Sequence, residues 1–205
     1  MKLVGEKLAA ARGERRIFEG LSFEVPAGSA LVVTGPNGSG KSTLLKTIAG
    51  FLRPVAGSLK LEGADAETRL AEHCHYLGHA NALKPQLSVA ENLRFWQQFY
   101  APGCTVDKAL DAVGLPGVGD LPAGYLSAGQ KRRVAIARLL AAARPVWLVD
   151  EPTSALDAAS ERRFAALVEA HLAQGGIVVA ATHQQLGLAA ALKLDISQFA
   201  ESRAA

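Results

Sequence analysis

Only two cysteines occur in 205 residues, Cys74 and Cys104, and neither belongs to a CxxC pair. A disulfide scaffold, a thiolate zinc site and a CxxCH haem attachment are thereby excluded, and both residues read as small buried apolar groups. Long hydrophobic runs are missing too. No stretch approaches the roughly 20 apolar residues that cross a bilayer, and the most apolar helical segment, 134–143, is shorter and carries Arg138. The opening MKLVGEK lacks the apolar core of a signal peptide. Any membrane role is therefore expected to come through a partner. Charge of one sign is scarce: 22 Lys+Arg stand against 19 Asp+Glu, a net +3, too little to suggest a nucleic-acid partner. The basic groups Arg12, Arg15 and Arg16, and Lys131, Arg132 and Arg133, read as solvated faces. Apolar material is plentiful, at 49% against 20% charged, which supplies a sizeable core and excludes disorder.

The order of patterns gives the architecture. Leu21, Phe23 and Val25 alternate with polar residues, as on a half-buried strand. The continuous run Ala30–Thr34 suits a strand buried on both faces. A Gly-rich turn leads into a helix over 41–49, with Gly50 as its C′ residue. An edge strand is expected over 58–61 and another strand over 75–77. Helical spacing then dominates: 88–100, 106–113 and 127–143, with 114–124 as a Gly/Pro-rich surface linker. Alternation returns with a buried strand over 146–149, a helix over Ala158–Ala173, a buried strand over Ile177–Ala181, and Leu194 and Ile196 on a last strand. The reading is an α/β core, about 1–80 and 144–205, interrupted by a helical insertion at about 81–143, all in one domain. His73, Cys74 and His75 read as strand residues rather than a haem site.

Two segments carry chemistry. Gly35-Pro36-Asn37-Gly38-Ser39-Gly40-Lys41-Ser42 fits GxxxxGK[ST] between a strand and a helix. Its glycines let successive N–H groups turn inward on phosphate oxygens, and the helix N-terminus adds positive dipole. Lys41 can reach β- and γ-phosphates and the Ser42 hydroxyl can bind Mg²⁺. Asp150 closes the apolar strand Val-Trp-Leu-Val, at the end of the sheet where α/β proteins bind ligands. It is suited to hold Mg²⁺, and Glu151 beside it to orient or deprotonate the attacking water.

Leu126-Ser127-Ala128-Gly129-Gln130 is first a capping box, S-x-x-Q, at the start of a helix. It also resembles the ABC-transporter signature LSGGQ, at a similar spacing from Asp150. Ser154-Ala155-Leu156-Asp157 looks like that superfamily's dimer-contact loop, and His183 like its switch histidine. The resemblance implies a P-loop NTPase core with an ABC-type antiparallel β subdomain and an inserted α-helical subdomain. It implies ATP and Mg²⁺ as cofactors, the phosphates being held by Gly35 to Ser42 and Thr43, and the metal by Ser42 and Asp150. It further implies a homodimer in which Ser127 and Gly129 of one copy complete the site of the other. Lys41, Glu151 and His183 then act on the γ-phosphate, and an integral membrane permease subunit is the partner.

Two positions depart from the superfamily pattern. Where an aromatic usually stacks on adenine, counting back reaches Arg12, whose guanidinium can stack through cation–π contact; Phe18 is an alternative, with a core role as its simpler reading. Where a Gln precedes the Glu-Asn pair, here Glu91-Asn92, this chain has His79. An imidazole there can ligate the metal or bind the attacking water, or be structural. With that His, the stretch from Tyr76 to Phe95 is similar to the ATP-binding subunits of the cytochrome c maturation (haem exporter) family. That likeness implies haem export or release of a haem-carrying chaperone, on the cytoplasmic face of a bacterial inner membrane. An ABC ATPase for a metal, lipid or lipoprotein cargo, or a soluble one, is the alternative.

Overall fold

The computed structural model describes residues 1–65, 67–182 and 191–200. They divide into two units, one of residues 1–76, 145–151 and 169 onward, the other of 77–144 and 152–168.

The first unit begins with a hairpin that the sequence hides. Strand β1 (Lys2–Arg12) pairs antiparallel with β2 (Arg15–Pro26) around a turn at Gly13-Glu14. Register shifts interrupt β1 after Gly5 and again after Leu8. A bulge inserts an extra residue and inverts the alternation beyond it, so β1 lacks the period-2 signal that β2 displays through Leu21, Phe23 and Val25. β4 (Ala56–Glu62) covers the other edge of β1, giving the order β2-β1-β4.

A second sheet has the order β5-β6-β7-β3-β8. It comprises β3 (Ala30–Thr34), β5 (Cys74–Leu77), β6 (Val146–Asp150), β7 (Ile177–Ala181) and β8 (Leu192–Asp195). Parallel ladders join β6, β7, β3 and β8. Every residue of β6 and β7 is buried, which is why they read as unbroken apolar runs. The final strand ends one residue early: Ile196 opens a 3₁₀ turn, Ile196–Phe199, and is fully buried.

Helix α1 (Lys41–Ile48) follows β3. Gly50, at φ +77°, ends it as expected; its N–H donates to Thr47 O (3.1 Å) and the Phe51 N–H to Lys46 O (2.9 Å), a Schellman closure. Leu44, Leu45 and Ile48 join Phe18, Leu21, Val33, Leu148 and Val179 in one core. Phe18 has no exposed surface, so its place is the core. Cys74 is buried with them, whereas Cys104 in the second unit is half-buried, and its partial burial raises the thiol pKa.

In the second unit, α2 (Val89–Phe99) and α3 (Val106–Ala112) pack against α4 (Ala128–Ala141), and the first part of α5 (Ala158–Ala173) belongs here too. A capping box starts α2: Ser88 Oγ accepts from the Glu91 N–H and Glu91 Oε2 from the Ser88 N–H. The linker over 114–124 is less free than its composition suggests. Its Leu121 and Gly119 carbonyls accept the N–H groups of Val89 and Ala90 (3.0 and 2.8 Å), satisfying the orphan donors of α2. No helix among the described residues is long and apolar enough to cross a membrane.

Candidate functional site

The register across the parallel sheet brings chemistry to one edge. Val33 pairs with Ala181, and Ala181 with Asp150. The C-terminal ends of β3, β7 and β6 therefore line up, and the phosphate loop leaves from the first of them.

In that loop Gly35, Gly38 and Gly40 have positive φ. Gly40 is the residue for which nothing else serves: φ is +107°, and an added Cβ would lie 2.5 Å from Ile17 Cγ2. Pro36, Asn37 and Gly38 are exposed; Ser39 and Ser42 are half-buried and Thr43 is buried. Lys41 is only 8% exposed, and its ammonium donates to Gly35 O (2.7 Å) and Pro36 O (3.0 Å). Ser39 Oγ is buried with no hydrogen-bond partner. An orphaned hydroxyl costs about 1–3 kcal/mol, and it belongs to the same loop whose carbonyls hold the buried Lys41 ammonium. That donor set fits an entering triphosphate.

Asp150 is 2% exposed, and Oδ2 accepts from Tyr76 Oη (3.3 Å). A carboxylate at Asp150 and a hydroxyl at Ser42 are hard oxygen donors of the kind Mg²⁺ takes. Among the described residues no three His, Cys, Asp or Glu side chains converge on a metal position, so such an ion would lean on phosphate oxygens and water.

Glu151 has φ +44°, a left-handed conformation costing about 1–3 kcal/mol outside glycine. Its N–H donates to Ala181 O (2.8 Å), and its Oε2 accepts from Thr182 Oγ1 (3.3 Å). The strain lies in the backbone, which the Ala181 carbonyl holds, while Thr182 contacts the carboxylate. His183 lies outside the described residues.

In the second unit, Ser127 caps α4 as its sequence predicts: Oγ accepts from the Gln130 N–H (3.2 Å), and Gln130 Oε1 accepts from the Ser127 N–H (2.8 Å). Ser127 and Ala128 are exposed, leaving the positive end of a 14-residue helix at the surface. A Cβ on Gly129 would meet Ala155 O at 3.1 Å, so this residue lets the signature helix approach the loop over 154–157. Asp157 then caps α5: Oδ1 accepts from the Ser160 N–H (2.7 Å), which holds its carboxyl below the usual range.

His79 is exposed, on a loop between β5 and α2. Asn92 secures the later part of that loop. Oδ1 accepts from the Lys84 N–H, and Nδ2 donates to the carbonyls of Lys84, Leu87 and Ser88. Arg12 is exposed at the end of β1, paired with Arg15 across the hairpin.

The solvated-face reading of the second basic group fails. Arg132 is no part of a solvated face: it is 3% exposed and hydrogen-bonded on several sides. Composition cannot reveal this, because a basic triplet on a helix places its three residues on different faces. Tyr76 and Thr182, the partners of Asp150 and Glu151, are residues that the sequence alone did not expose.

A family model described as ABC transporter matches residues 18–154. The chain is 56% identical over 207 residues to "Cytochrome c biogenesis ATP-binding export protein CcmA" of Agrobacterium fabrum, covering 98% of this chain and 97% of that protein. It is 58% identical over 190 residues to the protein of the same name from Mesorhizobium japonicum, with 92% and 94% covered. Among solved structures it is similar to a putative ABC transporter ATP-binding protein from Pyrococcus furiosus, with TM-score 0.85, 23% identity, and 98% and 100% coverage. It is also similar to a bacterial Atm1-family ABC exporter with ATP bound, with TM-score 0.80 and 28% identity, over 98% of this chain and 38% of that one.

Proposed function

Because the chain belongs to the ABC transporter family and, within it, to the cytochrome c biogenesis ATP-binding export proteins, we propose that it hydrolyses ATP to energise haem export, or release of a haem-carrying chaperone, during c-type cytochrome assembly. Its working form is a homodimer docked on an integral membrane permease subunit, at the cytoplasmic face of a bacterial inner membrane. The observation that most supports ATP chemistry is the phosphate loop: a buried Lys41 ammonium resting on loop carbonyls, in a loop that also carries the orphaned Ser39 hydroxyl.

The residues then divide the work. N–H groups over 35–43 take the β- and γ-phosphates, and Lys41 exchanges its carbonyl partners for phosphate oxygens. Bound Mg²⁺ supplies neutralisation of phosphate charge, with Ser42 and Asp150 as its protein-side donors and Tyr76 fixing one Asp150 oxygen. Glu151 takes the proton of the attacking water, and Thr182 sets the carboxylate's rotamer through Oε2. His183 stabilises charge on the transferring group. From the second copy, Ser127, Gly129 and the α4 N-terminus close over the γ-phosphate. His79 ligates the metal or binds the attacking water, and Arg12 stacks on the base.

The test of the cytochrome role is cellular. In a bacterium that depends on this chain for its c-type cytochromes, a Lys41→Ala replacement should abolish covalently haem-stained cytochromes while leaving total haem intact. Normal c-type cytochromes in that strain would remove the assignment.

A further inference from the structure

Arg132 sits in the second turn of α4, with its head closed off from solvent. Nε donates to Pro152 O (2.9 Å), and Nη1 donates to Gly78 O (2.6 Å) and Asn81 Oδ1 (3.4 Å). Burying a guanidinium costs several kcal/mol unless its N–H groups are satisfied. Here the acceptors come from two separate stretches of chain. Gly78 and Asn81 flank His79, and Pro152 directly follows Glu151. The planar fork fixes these acceptors relative to one another, which a flexible ammonium cannot do. Glu151 is held in its left-handed conformation by its own N–H on Ala181 O; the carbonyl of the next residue is held by Arg132. The helix that carries Arg132 begins at the signature Ser127.

We propose that Arg132 is a positioning residue for ATP hydrolysis: its buried guanidinium ties the turn after Glu151 to the loop bearing His79, so that the Glu151 carboxylate is kept aimed at the attacking water. This rests on Glu151 being the general base. The ground-state nucleotide is held by the phosphate loop, whereas the Arg132 guanidinium bonds the Pro152 and Gly78 carbonyls. Its loss should therefore appear in the chemical step rather than in binding.

The test uses the full chain as Arg132→Gln and Arg132→Lys, with Glu151→Gln and the Arg132→Gln/Glu151→Gln double variant beside them. Steady-state ATPase gives kcat and KM, a fluorescent ATP analogue gives Kd, and thermal melting reports the fold. Arg132→Gln should lower kcat about 10- to 100-fold, the scale of misplacing a reacting group, with KM and Kd within about twofold. Arg132→Lys, which keeps the charge and loses the fork, should recover less than half of that loss on a logarithmic scale. Residues acting through one another are non-additive, so adding Arg132→Gln to Glu151→Gln should lower the residual rate by less than about twofold. A kcat near wild type, a rise confined to KM, a fully multiplicative loss in the double variant, or failure of both single variants to fold overturns the proposal. Wild-type turnover by Glu151→Gln is a different outcome: it removes Glu151 as the base, and the role of Arg132 with it.

Discussion

At Gly40 a single methyl group decides whether the phosphate loop keeps its shape. The residue combines φ +107° with a would-be Cβ 2.5 Å from Ile17 and 3.3 Å from Phe18. Gly38 has φ +80° but open space around its Cβ position. Left-handed strain costs about 1–2 kcal/mol at either site, and overpacking adds about 1–3 kcal/mol at Gly40 alone. Gly40→Ala should therefore weaken ATP binding by more than about tenfold and by more than Gly38→Ala does, in titrations with a fluorescent nucleotide. Equal losses would show that the Ile17 contact gives way. The loop motif itself was plain in the sequence, because its glycines, Lys41 and Ser42 are contiguous. The reason Gly40 resists substitution was not plain, since Ile17 reaches it from a distant strand.

Helix α4 is the element on which local and intermolecular roles meet. Ser127 and Gln130 form the reciprocal cap, so Ser127→Ala should cost about 0.5–2 kcal/mol of stability, read from denaturant unfolding. The proposed dimer makes a further demand on the same residue. A Ser127→Arg chain keeps its phosphate loop, and a Lys41→Ala chain keeps its signature, so mixing them creates heterodimers with one complete site. ATPase activity should return on mixing and peak near equal amounts. A flat line at background, with both variants folded and heterodimers demonstrated, removes completion in trans. The capping box could be read from i, i+3 spacing alone. The exposure of Ser127 and the contact limit between Gly129 and Ala155 required the folded unit.

For the whole molecule, the proposed cycle predicts that blocking chemistry traps assembly. Glu151→Gln preserves shape and removes the base, so turnover should fall about 10²–10⁴-fold while ATP still binds. The variant should elute as a dimer with Mg·ATP and as a monomer without it. A monomer under both conditions would mean that nucleotide does not join two copies. The sequence by itself determined features written in neighbouring residues: the phosphate loop, Asp150 at the end of an apolar run, the cap at Ser127, and the buried strands β3, β6 and β7. Each depends on spacing over a few neighbouring residues, where periodicity and turn chemistry act directly. Tertiary structure decided what depends on contact between segments far apart in the chain. It paired β1 through bulges that erase alternation, linked Tyr76 to Asp150 and Thr182 to Glu151, and drew the linker carbonyls onto α2. It also buried Arg132 from the middle of a basic triplet. A side chain's burial is set by what packs against its face of the helix, and the Gly78 and Pro152 carbonyls that satisfy Arg132 belong to loops that only folding brings together.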